Sequence, residues 1–375
     1  MRILHTIPGF GVKSGGTTTC TYDLLSAMRR QETDVEVVTI ESPDPSDKLV
    51  GNGEKWINVL PYDYVTPFAY SHNLKAYLTS SEFDVYHTNG LWMYANHATC
   101  SQAYRKGKPY IITPHGMLYP QALARSAWKK KLMLAACFNR DIKRADILHA
   151  TCMPEYQYIR DLGLVNPVAV IPNPVPPPDY ISEVRNVKKS ARVGFLGRLH
   201  PRKHVHTIIE AWKKLNPVGA QLLIMGAGDP GYEKYLKELA RDTTSIEFAG
   251  FVAGREKFER LASLTALVVA SDFENFGMIV TEALSVGTPV IASKGTPWQS
   301  LEDERCGWWV DNDVNTLADT IAHALSLSED EVREMGRRGS CLVEEKYLDS
   351  NVAAMMGELY RYVGGEGPRP NFVLD

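Results

Sequence analysis

The sequence predicts an α/β protein of two doubly wound, Rossmann-like domains, and three observations support that prediction. The chain has 375 residues, which suits two domains of about 150–200 residues better than one. Short apolar runs alternate with longer amphipathic runs, as in parallel strands joined by helices. The alternation stops at a proline-rich segment and then starts again.

The first run of alternation predicts an N-terminal domain over residues 1–175. Its candidate strands are residues 2–7, 35–40, 84–88, 109–114, 146–151 and 168–173. Residues 176–189 combine prolines with charges, so we expect a linker without regular hydrogen-bonded structure.

The second run predicts a C-terminal domain over residues 190–346. Its candidate strands are residues 192–197, 221–226, 246–251, 266–271, 289–293 and 307–311, with helices at 205–215 and 232–242. Residues 328–363 are expected to be helical, and the helix at about 347–363 lies beyond the last strand. The Gly- and Pro-rich tail, residues 364–375, is expected to be mobile.

Composition and charge are those of an ordinary globular protein, with 44% hydrophobic residues, 23% charged residues and a net charge of −3. No apolar run approaches the length of a transmembrane helix, and the N-terminus is typical of a first strand rather than a signal peptide. Six scattered cysteines without C-x-x-C spacing favour reduced thiols in the cytoplasm and argue against a zinc site.

Residues 105–144 carry ten Lys or Arg residues against one acidic residue, Asp141. Apolar side chains, among them Trp128 and Leu132, are interleaved with the basic ones. Such a helix can lie peripherally on an anionic membrane surface, or it can present a solvated basic face while its apolar side packs into the domain. We expect no nucleic acid, because no binding motif accompanies the charge.

The most informative segment is residues 270–293, ASDFENFGMIVTEALSVGTPVIAS. Glu274 and Glu282 stand eight residues apart, and a helix begins between them at about Gly277. The free N–H groups of that helix would form an anion site with one carboxylate before it and one behind it. That layout suits a nucleotide sugar, and the candidate donor-binding residues here are Glu274, Asn275, Phe276, Gly277, Met278 and Glu282.

The E-x7-E pattern ahead of GTPVIAS resembles the signature of the family 4 retaining glycosyltransferases. That family has the GT-B fold, with a cleft between two Rossmann-like domains and a C-terminal helix that crosses back onto the first. The resemblance implies that Glu282 binds ribose hydroxyls and that Glu274, as a catalytic residue, binds hydroxyls of the transferred sugar.

The segment GRLHPRKH, residues 197–204, follows the first strand of the second domain. In the resemblance, Arg198 and Lys203 hold the donor diphosphate as binding and catalytic residues. Two cations and a helix N-terminus can stabilise a departing diphosphate without a metal. Relatives usually carry glycine after the lysine, whereas this chain has His204, which puts the local turn in doubt.

His115, in ITPHGM, lies at the end of a predicted strand and matches the HG motif of the family, which places it near the reaction centre as a catalytic candidate. A histidine after a strand is otherwise a structural hydrogen-bonding residue. His87 is assigned that role, and lining of the same cleft is its weaker alternative. Gly15 and Gly16 match the glycine pair of the family's first-domain loop, where the backbone approaches the donor phosphate and the acceptor.

The sequence contains three weaker signals. Phe251 corresponds to a position where relatives contact the nucleotide base, and the glycine turn at residues 226–229 is expected near the nucleotide. Asp311 and Asp313 form a D-x-D pattern that we interpret as a surface turn rather than a metal site. The sequence gives no reason to expect a metal or another cofactor.

The resemblance therefore predicts a retaining, metal-independent glycosyltransferase that moves a sugar from a UDP- or GDP-sugar to an acceptor hydroxyl. The basic segment favours a lipid-linked glycan as acceptor, at the cytoplasmic face of the membrane in surface polysaccharide biosynthesis. Front-face attack and a covalent intermediate on Glu274 both remain open as mechanisms.

Three other functions are alternatives to this prediction. A GT-B sugar-nucleotide epimerase would consume donor without an acceptor, and a silent sugar-nucleotide sensor would make no product. An NAD-dependent oxidoreductase would use the glycines at residues 9–16, but their spacing differs from G-x-G-x-x-G.

Overall fold

The computed structural model describes residues 1–64 and 68–375, which form two compact units. Unit 1 comprises Met1–Pro174 together with Asp349–Asp375, and unit 2 comprises Val175–Leu348.

The described residues contain the following elements. The strands are β1 (Arg2–Thr6), β2 (Asp34–Ile40), β3 (Ile57–Leu60), β4 (Val85–Asn89), β5 (Tyr110–Thr113), β6 (Ile147–Ala150), β7 (Val168–Val170), β8 (Arg192–Leu196), β9 (Gln221–Met225), β10 (Ile246–Gly250), β11 (Ala266–Val269), β12 (Val290–Ser293), β13 (Gly307–Val310) and β14 (Val373–Leu374). The α-helices are α1 (Gly16–Arg30), α2 (His72–Ser80), α3 (Tyr94–Arg105), α4 (Pro120–Ala124), α5 (Ala127–Met133), α6 (Asn139–Lys143), α7 (Met153–Asp161), α8 (Ile181–Arg185), α9 (Val205–Leu215), α10 (Pro230–Ala240), α11 (Gly254–Ala262), α12 (Met278–Ser285), α13 (Ser300–Asp303), α14 (Val314–Ser326), α15 (Glu329–Lys346) and α16 (Asp349–Val363). Short 3₁₀ turns lie at Val12–Ser14 and Pro201–Lys203, and a π-helical turn lies at Leu134–Phe138.

Unit 1 is built on an eight-stranded sheet in the order β14-β7-β6-β5-β4-β1-β2-β3. Its strands are parallel except β14, which pairs antiparallel with β7. The central strands are buried on both faces, as expected for a parallel sheet covered by helices. A separate apolar core lies on each face of the sheet.

One face of that sheet is covered by α1 and α16, which pack against each other. The buried residues of α16 recur at helical spacing, as Val352, Met356, Leu359 and Tyr360, and this stripe holds the helix on the sheet.

Unit 2 is built on a parallel six-stranded sheet in the order β10-β9-β8-β11-β12-β13. The chain leaves β8 toward β9 on one side and later returns to add β11 on the other side. The order of the strands therefore reverses between β8 and β11. In open α/β sheets, ligands bind outside the carboxyl ends of the strands at such a switch point.

The predicted α/β class with two Rossmann-like domains is confirmed, and every predicted strand is present. β3 and β14 were not predicted. Two predictions were wrong. Residues 176–189 include α8, whose Val184 is buried in unit 2, rather than an irregular linker. The tail at residues 364–375, which was expected to be mobile, instead adds β14 to the sheet of unit 1, with Val373 buried.

No helix within residues 1–64 and 68–375 combines the length and the apolar character needed to cross a bilayer.

Candidate active site

The two motifs of unit 2 meet at the switch point of its sheet. The segment after β8, residues 197–204, lies against the segment after β11, residues 270–277. The backbone N–H of Asp272 donates to the carbonyl of Arg202 at 2.9 Å. The guanidinium of Arg202 stacks over the ring of Phe273, 5.0 Å from its centroid. Two segments that are far apart in sequence thus form one surface.

An ion pair between Lys203 and Glu274 joins the same two segments. The hydroxyl of the buried Ser271 donates to the same carboxylate oxygen, Oε1, at 2.8 Å. Glu274 keeps 16% of its side chain exposed and Lys203 keeps 30%, so both charged groups remain accessible. The lysine and the glutamate that the sequence assigned to donor binding are therefore in direct contact.

His204 occupies the position where relatives usually carry glycine, and its backbone is left-handed, with φ of 49°. A residue with a Cβ is strained in this region. The side chain of His204 is held from two sides: Nε2 pairs with Asp272 Oδ1 at 2.5 Å, and Nδ1 lies 3.2 Å from the hydroxyl of Thr207. The turn keeps the conformation that glycine would adopt, which resolves the doubt raised by this departure.

A short helix begins directly after the second segment. Gly277 has φ of 82° and is the N-cap of α12, so Met278 is the first residue of that helix. Phe276 is buried against Trp298, with ring centroids 5.4 Å apart, and its carbonyl accepts from the indole N–H of Trp298 at 2.5 Å. This contact fixes the turn of residues 275–277, and Gly277, as the N-cap, has no side chain to cap the N–H groups of α12.

Glu282 lies within α12 and pairs with Lys257 of α11 at 2.9 Å. Both side chains are about one-fifth exposed, at 22% and 21%. Sequence reasoning did not identify Lys257. Its only sequence signal is a basic residue within an amphipathic helix, which does not distinguish it from the other surface lysines.

The remaining predicted donor residues of unit 2 lie at the carboxyl ends of strands. Arg198 follows β8, is exposed, and forms no ion pair with any residue that the structure describes. Phe251 follows β10 and is 78% exposed. Gly226 follows β9 and lies against Gly197, so close that an added Cβ would stand 1.9 Å from the carbonyl oxygen of Gly197. Only glycine permits this approach of the turn at residues 226–229 to the Arg198 segment.

In unit 1, the loop after β5 carries His115 and Gly116, both in the left-handed region with φ of 51° and 74°. The buried carboxylate of Glu155 accepts from the backbone N–H of Gly116 at 2.6 Å and from the backbone N–H of Thr151 at 2.8 Å. Sequence reasoning missed Glu155. It sits in the first turn of α7, where a carboxylate is ordinarily attributed to helix capping.

His115 is partly exposed, and its Nε2 lies 3.2 Å from Oδ1 of Asn89. His87 is buried, with hydrogen bonds to Tyr360 at 2.7 Å and to Thr113 at 2.6 Å, in agreement with a structural role. Burial lowers the pKa of His115 to about 3 and that of His87 well below its ordinary value. Both rings are therefore neutral near pH 7.

Gly15 and Gly16 open α1 of unit 1, and Gly15 has φ of 83°. No atom lies within 4 Å of a Cβ built on either glycine, so the backbone here faces open space. These residues and His115 belong to unit 1, whereas Lys203, Glu274 and Glu282 belong to unit 2.

The basic segment is only partly packed. Phe138 is buried in the core of unit 1, and Met133 and Leu134 pack against that core. Trp128 and Leu132, one helical turn apart on α5, are 69% and 64% exposed. One part of the segment thus packs into unit 1, and another part presents exposed apolar and basic side chains.

Within the described chain, one group of side chains has the composition of a metal site: His97, Cys137 and Asp141, whose ligand atoms lie within 4.8 Å of one another. His97 Nδ1 and Asp141 Oδ2 are 2.6 Å apart, and this hydrogen bond raises the pKa of His97 to about 9. The ion pair explains the proximity of these two groups without an ion. Asp311 pairs with Lys294, and Asp313 caps α14.

Comparison with known families bears on the two units separately. Residues 15–174 match the model described as glycosyl transferase 4-like domain, and residues 190–327 match the model described as glycosyl transferases group 1. The chain belongs to the group 1 glycosyltransferases. This confirms the family that the E-x7-E segment suggested.

Curated relatives of this group 1 glycosyltransferase include an uncharacterized glycosyltransferase of Methanocaldococcus jannaschii, 34% identical over 175 residues. The GDP-mannose-dependent alpha-(1-6)-phosphatidylinositol monomannoside mannosyltransferase of Mycobacterium tuberculosis is 31% identical over 181 residues. These matches cover 44% of the chain and 44% and 46% of the two relatives. The aligned parts are thus less than half of each protein.

Solved structures match over nearly the whole group 1 glycosyltransferase chain. Anabaena HepE, crystallised with UDP and glucose, gives a TM-score of 0.75 at 19% identity and covers 96% of this chain and 100% of that one. A sucrose-phosphate synthase of Thermosynechococcus elongatus gives a TM-score of 0.77 at 21% identity, with coverage of 97% and 100%. At these identities the matches establish the GT-B fold.

Proposed function

We propose that this protein is a retaining, metal-independent glycosyltransferase that uses a UDP- or GDP-sugar. The observation that carries the proposal is the contact between Lys203 and Glu274 beside the start of α12, at the switch point of the unit 2 sheet. Cationic, anionic and hydroxyl groups there complement a diphosphate and a sugar.

The departing nucleoside diphosphate gains negative charge as the glycosidic bond breaks. Arg198, Lys203 and the uncapped N–H groups of α12 are proposed to stabilise that charge. Arg198 is free to meet the ligand because no described carboxylate neutralises it. Lys203 would exchange part of its contact with Glu274 for the phosphate, which would free the carboxylate for hydroxyls of the sugar.

Glu282 is proposed to bind the ribose hydroxyls, with Lys257 holding its carboxylate in place. The acceptor is proposed to attack from the face of the leaving group, with a donor phosphate oxygen taking its proton. A covalent intermediate on Glu274 is the competing route to retention. Proton NMR of the first product decides the stereochemistry, because an inverted anomeric configuration would contradict both routes.

Thermal unfolding with UDP, GDP, ADP and NAD⁺, each with and without EDTA, tests the proposal. A ligand at about 100 times its Kd stabilises the folded state by about 2.7 kcal/mol. We expect a shift with UDP or GDP that EDTA leaves unchanged. A shift with NAD⁺ alone would favour an oxidoreductase, and loss of the shift in EDTA would contradict metal independence. Consumption of donor in the absence of acceptor would indicate an epimerase.

We further propose that the acceptor is a lipid-linked glycan reached at an anionic membrane surface on the cytoplasmic face. The exposed Trp128 and Leu132 of α5 stand beside the exposed Lys129 and Lys131, a combination that suits the headgroup region. The phosphatidylinositol mannoside acceptor named for one relative is consistent with a lipid acceptor.

Co-sedimentation with phosphatidylglycerol vesicles tests the membrane proposal. Binding should be strong at low salt and weak at high salt, because the attraction is screened. Replacing Trp128 and Leu132 by serine should release the protein, whereas Val218→Ser, at a fully exposed apolar residue of unit 2, should not. Binding that is unaffected by the double substitution would contradict the role of α5.

A further inference from the structure

A continuous chain of hydrogen bonds runs through the interior of unit 1 and ends at His115. It begins at the carbonyl of Ile171, which lies 2.8 Å from His149 Nε2. In order, its members are Ile171, His149, Thr113, His87, Tyr360, His5, Asn89 and His115. Each link measures between 2.6 and 3.2 Å.

The strand pattern places most of these side chains together. His5, His87, Thr113 and His149 each lie two residues beyond an apolar residue of the same strand, so they share the face that α16 covers. Tyr360 of α16 inserts its hydroxyl between two of the rings, 2.6 Å from His5 and 2.7 Å from His87.

The direction of the proton in each link follows from the carbonyl end. A carbonyl only accepts, so His149 carries its proton on Nε2 and its Nδ1 must accept. The acceptor Nδ1 lies 2.8 Å from the hydroxyl of Thr113, which therefore donates to it. Having only one proton, that hydroxyl must accept from His87 Nε2, at 2.6 Å.

The order of the protons continues through Tyr360. His87 carries its proton on Nε2, so its Nδ1 accepts from the hydroxyl of Tyr360. That hydroxyl must then accept from Nε2 of His5, which leaves Nδ1 of His5 as an acceptor. The order is unique as long as every ring is neutral.

Asn89 transmits the order to the end of the chain. Its Nδ2 donates to His5 Nδ1 at 3.2 Å, and the same amide group lies 3.5 Å from the carbonyl of Thr6, which also requires a donor. The amide oxygen of Asn89 therefore faces His115 and accepts from its Nε2.

The interior rings are neutral for a physical reason. Burial lowers the pKa of His5 to about 3 and that of His149 to about 4, and the pKa of His87 falls well below its ordinary value. No carboxylate among the described residues is hydrogen-bonded to these rings, so nothing favours their charged form.

We infer that this chain fixes His115 as the tautomer protonated on Nε2 and leaves its Nδ1 as a hydrogen-bond acceptor. Within the described residues no donor reaches that Nδ1. On the basis of the proposed function, the group that donates to Nδ1 is a hydroxyl of the transferred sugar. Tyr360 and Thr113 are then positioning residues, which act on the sugar only through His115.

The test is the tautomer itself, read from the ¹⁵N resonances of the ring nitrogens and their couplings to ring protons. His115→Gln identifies the signals of His115. The unaltered protein should give one protonated nitrogen, Nε2, and one unprotonated nitrogen, Nδ1. A ring protonated on Nδ1, or an average of the two forms, would overturn the inference.

Two substitutions cut the chain at different points. Tyr360→Phe removes the hydroxyl between His5 and His87, and Thr113→Val removes the link to the carbonyl end with little change in shape. Each should convert His115 to a mixture of tautomers. Tyr362→Phe on α16 and Thr39→Val on β2 are matched controls, since neither hydroxyl belongs to the chain, and Thr39 Oγ1 has no hydrogen bond to a described residue. A single, unchanged tautomer in Tyr360→Phe and Thr113→Val would contradict the inference.

Transfer activity separates this inference from the proposed function. Loss of one oriented neutral hydrogen bond should lower kcat/KM by about two- to tenfold in Tyr360→Phe and Thr113→Val, but not in the controls. A fixed tautomer in a protein that transfers no sugar would refute the proposed function and leave the ordering of the chain intact. Unchanged kcat/KM alongside a scrambled tautomer would refute the assignment of Nδ1 to the sugar.

Discussion

Unit 1 and unit 2 hold their polar groups in opposite ways. In unit 2, Lys203, Glu274, Lys257 and Glu282 are charged, paired and partly exposed. In unit 1, three histidines lie almost wholly inside the protein, uncharged, and linked by hydrogen bonds. An exposed charged pair can exchange its partner for a ligand, whereas a buried neutral chain can only impose an orientation. The charged pairs of unit 2 are therefore suited to binding a ligand, whereas the hydrogen-bonded chain of unit 1 is suited to orienting a side chain.

The largest expected effect is a loss of stability of unit 1 at low pH, which tests whether its buried histidines are neutral. The pKa values of His5, His87 and His149 lie below the value of about 6.5 in the unfolded chain. Below pH 6.5 the unfolded state therefore binds more protons, so stability is complete above that pH and is lost as the pH falls toward 4. Three such groups should lower the free energy of unfolding by about 4 kcal/mol between pH 7.5 and 5.5.

Pulse-labelling hydrogen exchange in urea can follow the two units separately. Unit 1 should lose stability over this range and unit 2 should change much less. Two further groups of unit 1 nearly cancel over this range. As the pH falls from 7.5 to 5.5, His97, with its pKa raised to about 9, adds about 1.4 kcal/mol of stability, and His115, with its pKa lowered to about 3, removes about as much. Equal changes in the two units would contradict the neutral, buried state of the chain.

The next largest effect tests the charged pairs of unit 2. Lys203→Ala should lower kcat by about 10²–10³, because the proposed role of the cation is to stabilise charge that develops only in the transition state. Its thermal midpoint should change little, since the ion pair with Glu274 is partly exposed. Lys213→Ala, at an exposed lysine of α9, is the matched control. Near-normal turnover in the Lys203 variant would remove this residue from the mechanism.

Glu155→Gln should affect both stability and activity. The buried carboxylate accepts hydrogen bonds from Gly116 and Thr151, and an amide offers only one acceptor oxygen. We expect a loss of about 1–3 kcal/mol in the free energy of unfolding, measured by urea titration, together with reduced turnover from a displaced His115 loop. Glu358→Gln, on the exposed face of α16, should do neither. Equal stability of the two variants would mean that Glu155 does not hold this loop in place.

The smallest effect distinguishes strain from pairing at His204. His204→Ala keeps a Cβ in the left-handed region, so the strain is unchanged, and it loses the contact with Asp272, so it should destabilise unit 2 by about 0.2–1 kcal/mol. His204→Gly loses the same contact but relieves the strain, so it should be nearly neutral. Equal chemical-denaturation midpoints for the two variants would mean that the turn is not strained.

The sequence predicted candidate site residues best where those residues form contiguous motifs. The E-x7-E segment and GRLHPRKH could be placed at the carboxyl ends of strands, where ligands bind in parallel sheets, but the adjacency of their strands, β11 and β8, came from the structure. β3 escaped prediction because only Ile57 of its four residues is buried, so its apolar pattern is weak. β14 escaped because two residues after a Gly- and Pro-rich stretch carry no periodicity.

The partners of these motifs were harder to predict, since they come from distant parts of the chain. Glu155 and Lys257 look like ordinary helix residues until the fold brings them to Gly116 and Glu282. The histidine chain did leave a trace in the sequence: ILH, VYH and ILH occur in three of the buried strands, and each histidine shares a face with the apolar residue two positions before it. That repeat predicts rings on one face but not the tyrosine that links them.

The placement of α16 and β14 in unit 1 has a consequence for synthesis on the ribosome. Unit 2 is a single continuous stretch and can complete its contacts as soon as it has emerged, whereas unit 1 lacks its last helix until residues 349–375 follow. During that interval the apolar face that α16 covers stays open, and His5 and His87 have no tyrosine between them. The segment translated first is thus completed last, and a released chain truncated before Asp349 would contain every residue of the second unit but lack α16 and β14 of the first.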